Sequence, residues 1–215
     1  SLVRVAKGAG LHCEAILTDM NQVLGKSAGH TLEILECIKY IKNDFKDHRL
    51  EKITNELISS LLVNIYKISK EEAYNKINTV INNGLAAEKF EMMVAALGGP
   101  KNILSSYEKD LINTSVRKDV FSSEQGWIEK IHTRELGLIL IELGGGRKQV
   151  TDKINYGVGY DNVLNIGDEV NSSTPLLSLY SSKNIDDNLI NKIKACFIIS
   201  DKKTQKLSEI FETIN

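Results

Sequence analysis

At 215 residues, with 42% apolar and 26% charged side chains and a formal net charge of −1, the chain has the make-up of a soluble globular protein of one large domain or two small ones. The near-neutral balance offers no basic surface for nucleic acid, and the longest apolar runs, such as Val94–Leu97 and Leu138–Ile141, are far too short to span a membrane. Three scattered cysteines, Cys13, Cys37 and Cys196, with no CxxC, argue for a reducing, cytoplasmic setting and against a disulfide scaffold or a zinc site; Cys37, on a helix stripe, is expected to be buried.

In chain order, Arg4 and Lys7 flank no long apolar region, so the start does not read as a signal peptide. Ser1, where an initiator Met would stand, is expected of a processed end or a piece of a longer protein. Leu2–Lys7 reads as the tail of a helix stopped by Gly8 and Gly10. Those glycines close a helix and precede a strand. A phosphate-cradling loop needs the reverse order, because the free N–H groups and positive dipole lie at a helix N-terminus. Cys13–Leu17 then reads as a buried strand, followed by the polar turn Thr18, Asp19, Asn21, Gln22. The carboxyl end of a strand is where α/β sheets build sites. Two uses stand side by side for these residues: contact with a substrate, or hydrogen bonding of the loop's own backbone.

His30 or Thr31 opens a helix with the apolar stripe Leu32, Leu35, Ile38, Ile41. A second helix, about Leu50–Ile68, carries Ile53, Leu57, Leu61, Leu62 and Ile65. A third begins at Ser69, where Ser69 and Glu72 form a capping-box pattern, and ends at Gly84. A fourth, about Leu85–Leu97, is closed by Gly98-Gly99-Pro100. All four read as packing layers. After Pro100 the texture changes: a short helix at Asn102–Leu111, strands at Arg117–Ser122 and Gly126–His132, then a helix Arg134–Leu143 capped by Thr133 and ended by Gly144–Gly146. Short strands at Val158–Val163, Gly167–Val170 and Leu176–Tyr180, a helix Ile185–Lys194 and a final strand Ala195–Ile199 complete an α+β pattern. A division between 1–110 and 111–215 is expected.

Little here marks catalysis. His12, His30, His48 and His132 show no metal spacing, and no GxSxG or other activated nucleophile is present. Asp186-Asp187 reads as a solvated turn. Gly144-Gly145-Gly146 with Arg147 and Lys148 follows a helix, whose negative end repels phosphate, so it reads as a tight turn exposing a basic loop. Its glycines would also suit a hinged flap. Val163–Ser182 resembles the GD-x-V…PL hairpin of biotinyl and lipoyl carrier domains but lacks their exposed tip lysine, which implies a barrel-sandwich fold without a swinging arm.

Several stretches together carry a more specific likeness: VAKGAG at Val5–Gly10, LTDMNQVLG at Leu17–Gly25, GLAAEKFEMMVAALGGP at Gly84–Pro100, HTRELGLILIELGGGRKQVTDKINYGVG at His132–Gly159 and IGDEV at Ile166–Val170. In that order they resemble the later part of thymidine and pyrimidine nucleoside phosphorylases. The resemblance implies a truncated central α/β domain followed by a C-terminal α+β domain of barrel-sandwich or hammerhead type. It implies a parent enzyme that cleaves pyrimidine nucleosides with phosphate as co-substrate and forms a homodimer through a helical domain. It also implies that the phosphate loop, the pyrimidine-holding Arg, Ser and Lys, and that helical domain lie upstream of LTDMNQ. The chain would then hold no catalytic or substrate-binding residue of its own and would be inactive alone. One family site has counterparts here, a potassium-like cation site matched by Leu24, Ser27 and Glu36. Leu24 and Ser27 would lend backbone carbonyls, which tolerates Ser27 in place of the Ala expected there, and Glu36 would lend charge. The competing reading of Glu36 is an exposed helix glutamate. Against the enzyme reading stands a non-catalytic scaffold that pairs with a separate N-terminal polypeptide.

Overall fold

The computed structural model describes residues 2–111 and 116–214. Residues 112–115, just past the expected division at 110, lie outside the described residues. The first half is α1 (Leu2–Gly8), β1 (Ala15–Thr18), α2 (His30–Ile41), α3 (His48–Tyr66), α4 (Lys70–Asn82), α5 (Leu85–Ala96) and α6 (Ile103–Leu111). The second half is β2 (Val116–Val120), β3 (Gly126–Ile131), α7 (Thr133–Glu142), β4 (Gly159–Asp161), β5 (Glu169–Val170), β6 (Leu177–Ser181), α8 (Asp187–Lys194), β7 (Phe197–Ser200) and β8 (Ile210–Ile214). This is the α+β composition read from the sequence.

The local chemistry sets the ends. At α1, Leu11 N donates to Ala6 O and Gly10 N to Lys7 O, with Gly10 at φ 78°; this paired bonding closes a helix through one left-handed residue. The same pair of bonds ends α5 at Gly98 and α7 at Gly144. Asp47 caps α3 by accepting from Arg49 N and Leu50 N, both at 3.0 Å. Ser69 caps α4 by accepting from Glu72 N at 3.1 Å, but the box is half-made: the Glu72 carboxylate turns to Lys76 instead. His132, not Thr133, occupies the N-cap of α7, and its side chain makes no capping bond.

Two apolar clusters fill the interior. The larger runs through the second half, from Val120 and Ile128 through Tyr160 and Leu179 to Ile193 and Phe197. Its centre is β6, flanked antiparallel by β2 and β4, where Leu177, Ser178 and Leu179 are all fully buried; β3 between β5 and β7 makes the other sheet. The smaller cluster packs Leu32, Leu35 and Ile38 of α2 against Ile103 and Tyr107 of α6. The two meet where Val23 and Ala28 lean on the larger and Tyr180 on the smaller.

Several expectations are corrected. β1 is not a buried strand: it pairs antiparallel with β8 alone among the described residues, and Leu17 is 44% exposed, because a two-stranded ribbon covers one edge only. β7 is not the last strand, since β8 returns to β1. On α3 the stripe splits: Ile53 is buried, whereas Leu57, Leu61 and Ile65 face outward and are at least half exposed. Cys37 is exposed, and the buried thiol is that of Cys196. Asp186 caps α8 through Leu189 N at 2.8 Å. The Arg147–Lys148 segment is the exposed basic turn expected, pinned by Asp152, which accepts from Lys148 N and Gln149 N at 2.9 Å.

Candidate functional site

The loop from Thr18 to Gly29 joins β1 to α2 and carries the distinctive residues. Its polar turn is spent on itself. Asp19 is fully buried and accepts from Asn21 N, Asn21 Nδ2 and Gln22 Nε2. Arg49, from the first turn of α3, donates Nη1 to Asp19 Oδ2 at 3.0 Å, Nη2 to Asp19 O, and Nε to Val23 O at 3.2 Å. Burial pushes the Asp19 carboxyl up, but the bonds from Asn21 and Gln22 and the Arg49 charge outweigh it and hold the group below its ordinary 3.8. A buried carboxylate so supplied with donors stays charged and is committed to architecture. Of the two uses open to Asp19, Asn21 and Gln22, the structure displays the internal one.

The loop also fastens the halves together. Gln22 Oε1 accepts from Ile166 N at 2.9 Å. Val163 N donates to Lys26 O at 3.0 Å, and Ala28 and Tyr160 exchange N–H···O bonds in an isolated bridge. Lys26 Nζ lies 3.3 Å from Val163 O and 3.4 Å from Asp168 Oδ2, while Lys206 Nζ lies 2.9 Å from Asp168 Oδ1. For Asp168, too, burial is outweighed, here by the Asn165 amide and the two lysines, so its carboxyl sits below the ordinary range.

Ser27 and Glu36 are brought together, and Leu24 directly precedes Gly25, whose backbone packs on the Glu36 carboxylate. Glu36 is not an exposed helix glutamate: it is 9% exposed and turned back onto the loop. Its Oε1 accepts from Lys26 N at 2.7 Å; its Oε2 accepts from Ser27 N at 3.1 Å and from the Ser27 hydroxyl. A Cβ on Gly25 would come 2.5 Å from Oε1, so the loop closes on the carboxylate only with glycine there. The Leu24 and Ser27 carbonyls accept no hydrogen bond among the described residues. Because Ala28 N–H is directed at Tyr160 O, the Ser27 carbonyl, on the opposite side of that planar peptide, points away from β4. A carboxylate and two uncommitted carbonyls of the loop it faces are the kind of oxygen donor a hard cation takes. Among the described residues no cluster of three His, Cys, Asp or Glu could hold a metal ion. Glu36 also lines a cleft of about 460 Å³ with Lys26, Lys39, Tyr107, Asp161 and Tyr180.

Three histidines make contacts far along the chain: His12 Nε2 meets Asn64 Oδ1 at 2.7 Å, His48 approaches Glu209 at 3.9 Å, and His30 meets the Tyr156 ring edge-on. Sequence reasoning missed Arg49 and the Gln22–Ile166 bond. Its one available signal for Arg49 was a charged residue in the first turn past the cap Asp47. Among the described residues no helix is long and apolar enough to cross a membrane.

Residues 127–200 match the family described as the pyrimidine nucleoside phosphorylase C-terminal domain. Over 182 residues the chain is 41% identical to a thymidine phosphorylase of Colwellia psychrerythraea, a match that takes in 84% of this chain and 42% of that relative's length.

Proposed function

Since the chain is kin to the thymidine and pyrimidine nucleoside phosphorylases, with their C-terminal domain at residues 127–200, we propose that it serves as the C-terminal portion of such an enzyme. The whole enzyme would convert thymidine and phosphate to thymine and 2-deoxyribose 1-phosphate, working by positioning and electrostatics around phosphate and the departing base. The chain divides into a part of the α/β domain, 1–110, and a C-terminal α+β domain, 111–215. The extent of the match to one thymidine phosphorylase is the observation that carries this reading.

In this reading the chain's own polar residues hold shape. Asp19 and Arg49 fix the strand-end loop, and Gln22 and Lys26 set the second half against the first. Leu24, Ser27 and Glu36 form one side of a monovalent cation site of potassium type. A cation there would supply positive charge that steadies the loop; the donors named above support it. Phosphate and pyrimidine are bound by residues of the remaining part of the enzyme, which is also where a homodimer would form. The chain by itself is inactive. The test is thymine release from thymidine in phosphate buffer by the purified 215-residue chain: none is expected, and phosphate-dependent release would overturn the assignment of chemistry to the remaining part.

A second reading has a specific observation in its favour. Leu57, Leu61 and Ile65 of α3 lie exposed beside Cys13 and Ile16, and Leu11, Leu17 and Met20 on either side of that stretch are exposed as well, apolar surface that a partner would cover. A separate polypeptide carrying the remaining part of the enzyme would then associate with this chain. Co-purification with such a polypeptide, and activity restored by mixing the two, separates this from a single continuous enzyme.

A further inference from the structure

We propose that the Ser27 hydroxyl is a positioning group that supplies part of what a cation would supply to Glu36, so that the loop at residues 24–27 keeps its shape with reduced dependence on a monovalent ion. This rests on the reading of Leu24, Ser27 and Glu36 as cation ligands. A buried carboxylate needs donors or a counter-charge. Glu36 finds three donors within the loop it faces: Lys26 N, Ser27 N and Ser27 Oγ. Two of them are backbone amides and persist whatever residue stands at 27. The hydroxyl is the only side-chain donor to Glu36 among the described residues, and it is a choice made by this sequence.

The geometry makes that choice consequential. Both Ser27 donors fall on Oε2, and Lys26 N falls on Oε1. Oε2 is thereby saturated, and Oε1 keeps one lone pair open to an ion. Ser27 is 5% exposed, so no water replaces its hydroxyl without opening the loop. Gly25 packs its backbone directly on the carboxylate, so the loop is shut on Glu36 before any ion arrives. Remove the hydroxyl, and the carboxylate loses a donor that an ion's positive charge would offset.

The experiment is thermal melting of the 215-residue chain in choline chloride and in potassium chloride at equal ionic strength, for the wild type, Ser27→Ala, Ser27→Thr and Glu36→Gln. In choline, Ser27→Ala melts about 2–4 °C below the wild type. Potassium raises Ser27→Ala more than the wild type and narrows the gap; Ser27→Thr follows the wild type; Glu36→Gln gains nothing. Equal gains for Ser27→Ala and wild type overturn the proposal and leave the cation reading standing. No gain in either overturns the proposal, and a gain in Glu36→Gln matching the wild type overturns both.

Discussion

Gly29 and Gly159 meet backbone to backbone: a Cβ on Gly29 would stand 2.8 Å from Gly159 Cα, and one on Gly159 would stand 2.7 Å from Ala28 O. This contact is the seam between the loop entering α2 and β4 of the second half. Gly159→Ala drives a methyl into Ala28 O and Leu32 and costs about 1–3 kcal/mol. Urea unfolding measures the loss, and hydrogen exchange at the Ala28 and Tyr160 amides, which bond across the seam, should quicken.

Arg49 and Asp19 form a buried pair, 5% and 0% exposed at the side chain and 3.0 Å apart. Arg49→Met leaves the Asp19 charge without its partner and costs about 3–5 kcal/mol, read as a shift of the urea midpoint.

The pH dependence follows from the same group. Asp19 is held below its ordinary 3.8, so between that value and its native one the unfolded chain binds more protons than the folded chain. Stability is therefore present above about pH 3.8 and is lost as pH falls through the lower native value. Asp168 and Glu209 are lowered too and act in the same sense. Asp19→Asn should melt lower at neutral pH and lose less on acidification to pH ~2.5.

The helices were legible because an apolar stripe is local: Leu32, Leu35 and Ile38 announce α2 within two turns, and all three are buried. What lay beyond the sequence was pairing across distance. β8 is a short Ile-Phe-Glu-Thr-Ile run whose strand character is settled by β1, nearly the whole chain away. The outward Leu57, Leu61 and Ile65 have the same spacing as a core stripe, and periodicity cannot say which side is covered. For the site, Asp19 stood out by its place at a strand end and Glu36 through the family resemblance. Whether their oxygens face a ligand or a backbone amide depends on where Arg49 and Ser27 fold.

Glu36→Ala strands Lys26 N, Ser27 N and Ser27 Oγ without an acceptor in a buried loop. A loss of about 1–3 kcal/mol is expected, with faster amide exchange at Lys26 and Ser27.

Thiol chemistry separates the cysteines. Cys37 is exposed, although partial burial and the neighbouring Glu36 and Glu33 push its thiol up, so it reacts ahead of Cys196 but slowly with a disulfide reagent. Cys196 is buried, donates to Lys192 O, and has its thiol pushed up to about 11 by burial and Glu135; it should react only on unfolding. Mass spectrometry of the native and urea-treated chain after brief labelling decides this.

The pairing of Ala15 with Ile214 and Ile16 with Thr213 carries a consequence for synthesis. At about 5–20 residues per second, roughly 10–40 s separate the emergence of β1 from that of its partner. Through that interval the growing chain offers an unclaimed strand edge beside the outward leucines of α3. The ribbon closes only once β8 has emerged, and a chaperone that shields β1 would have that whole window in which to act.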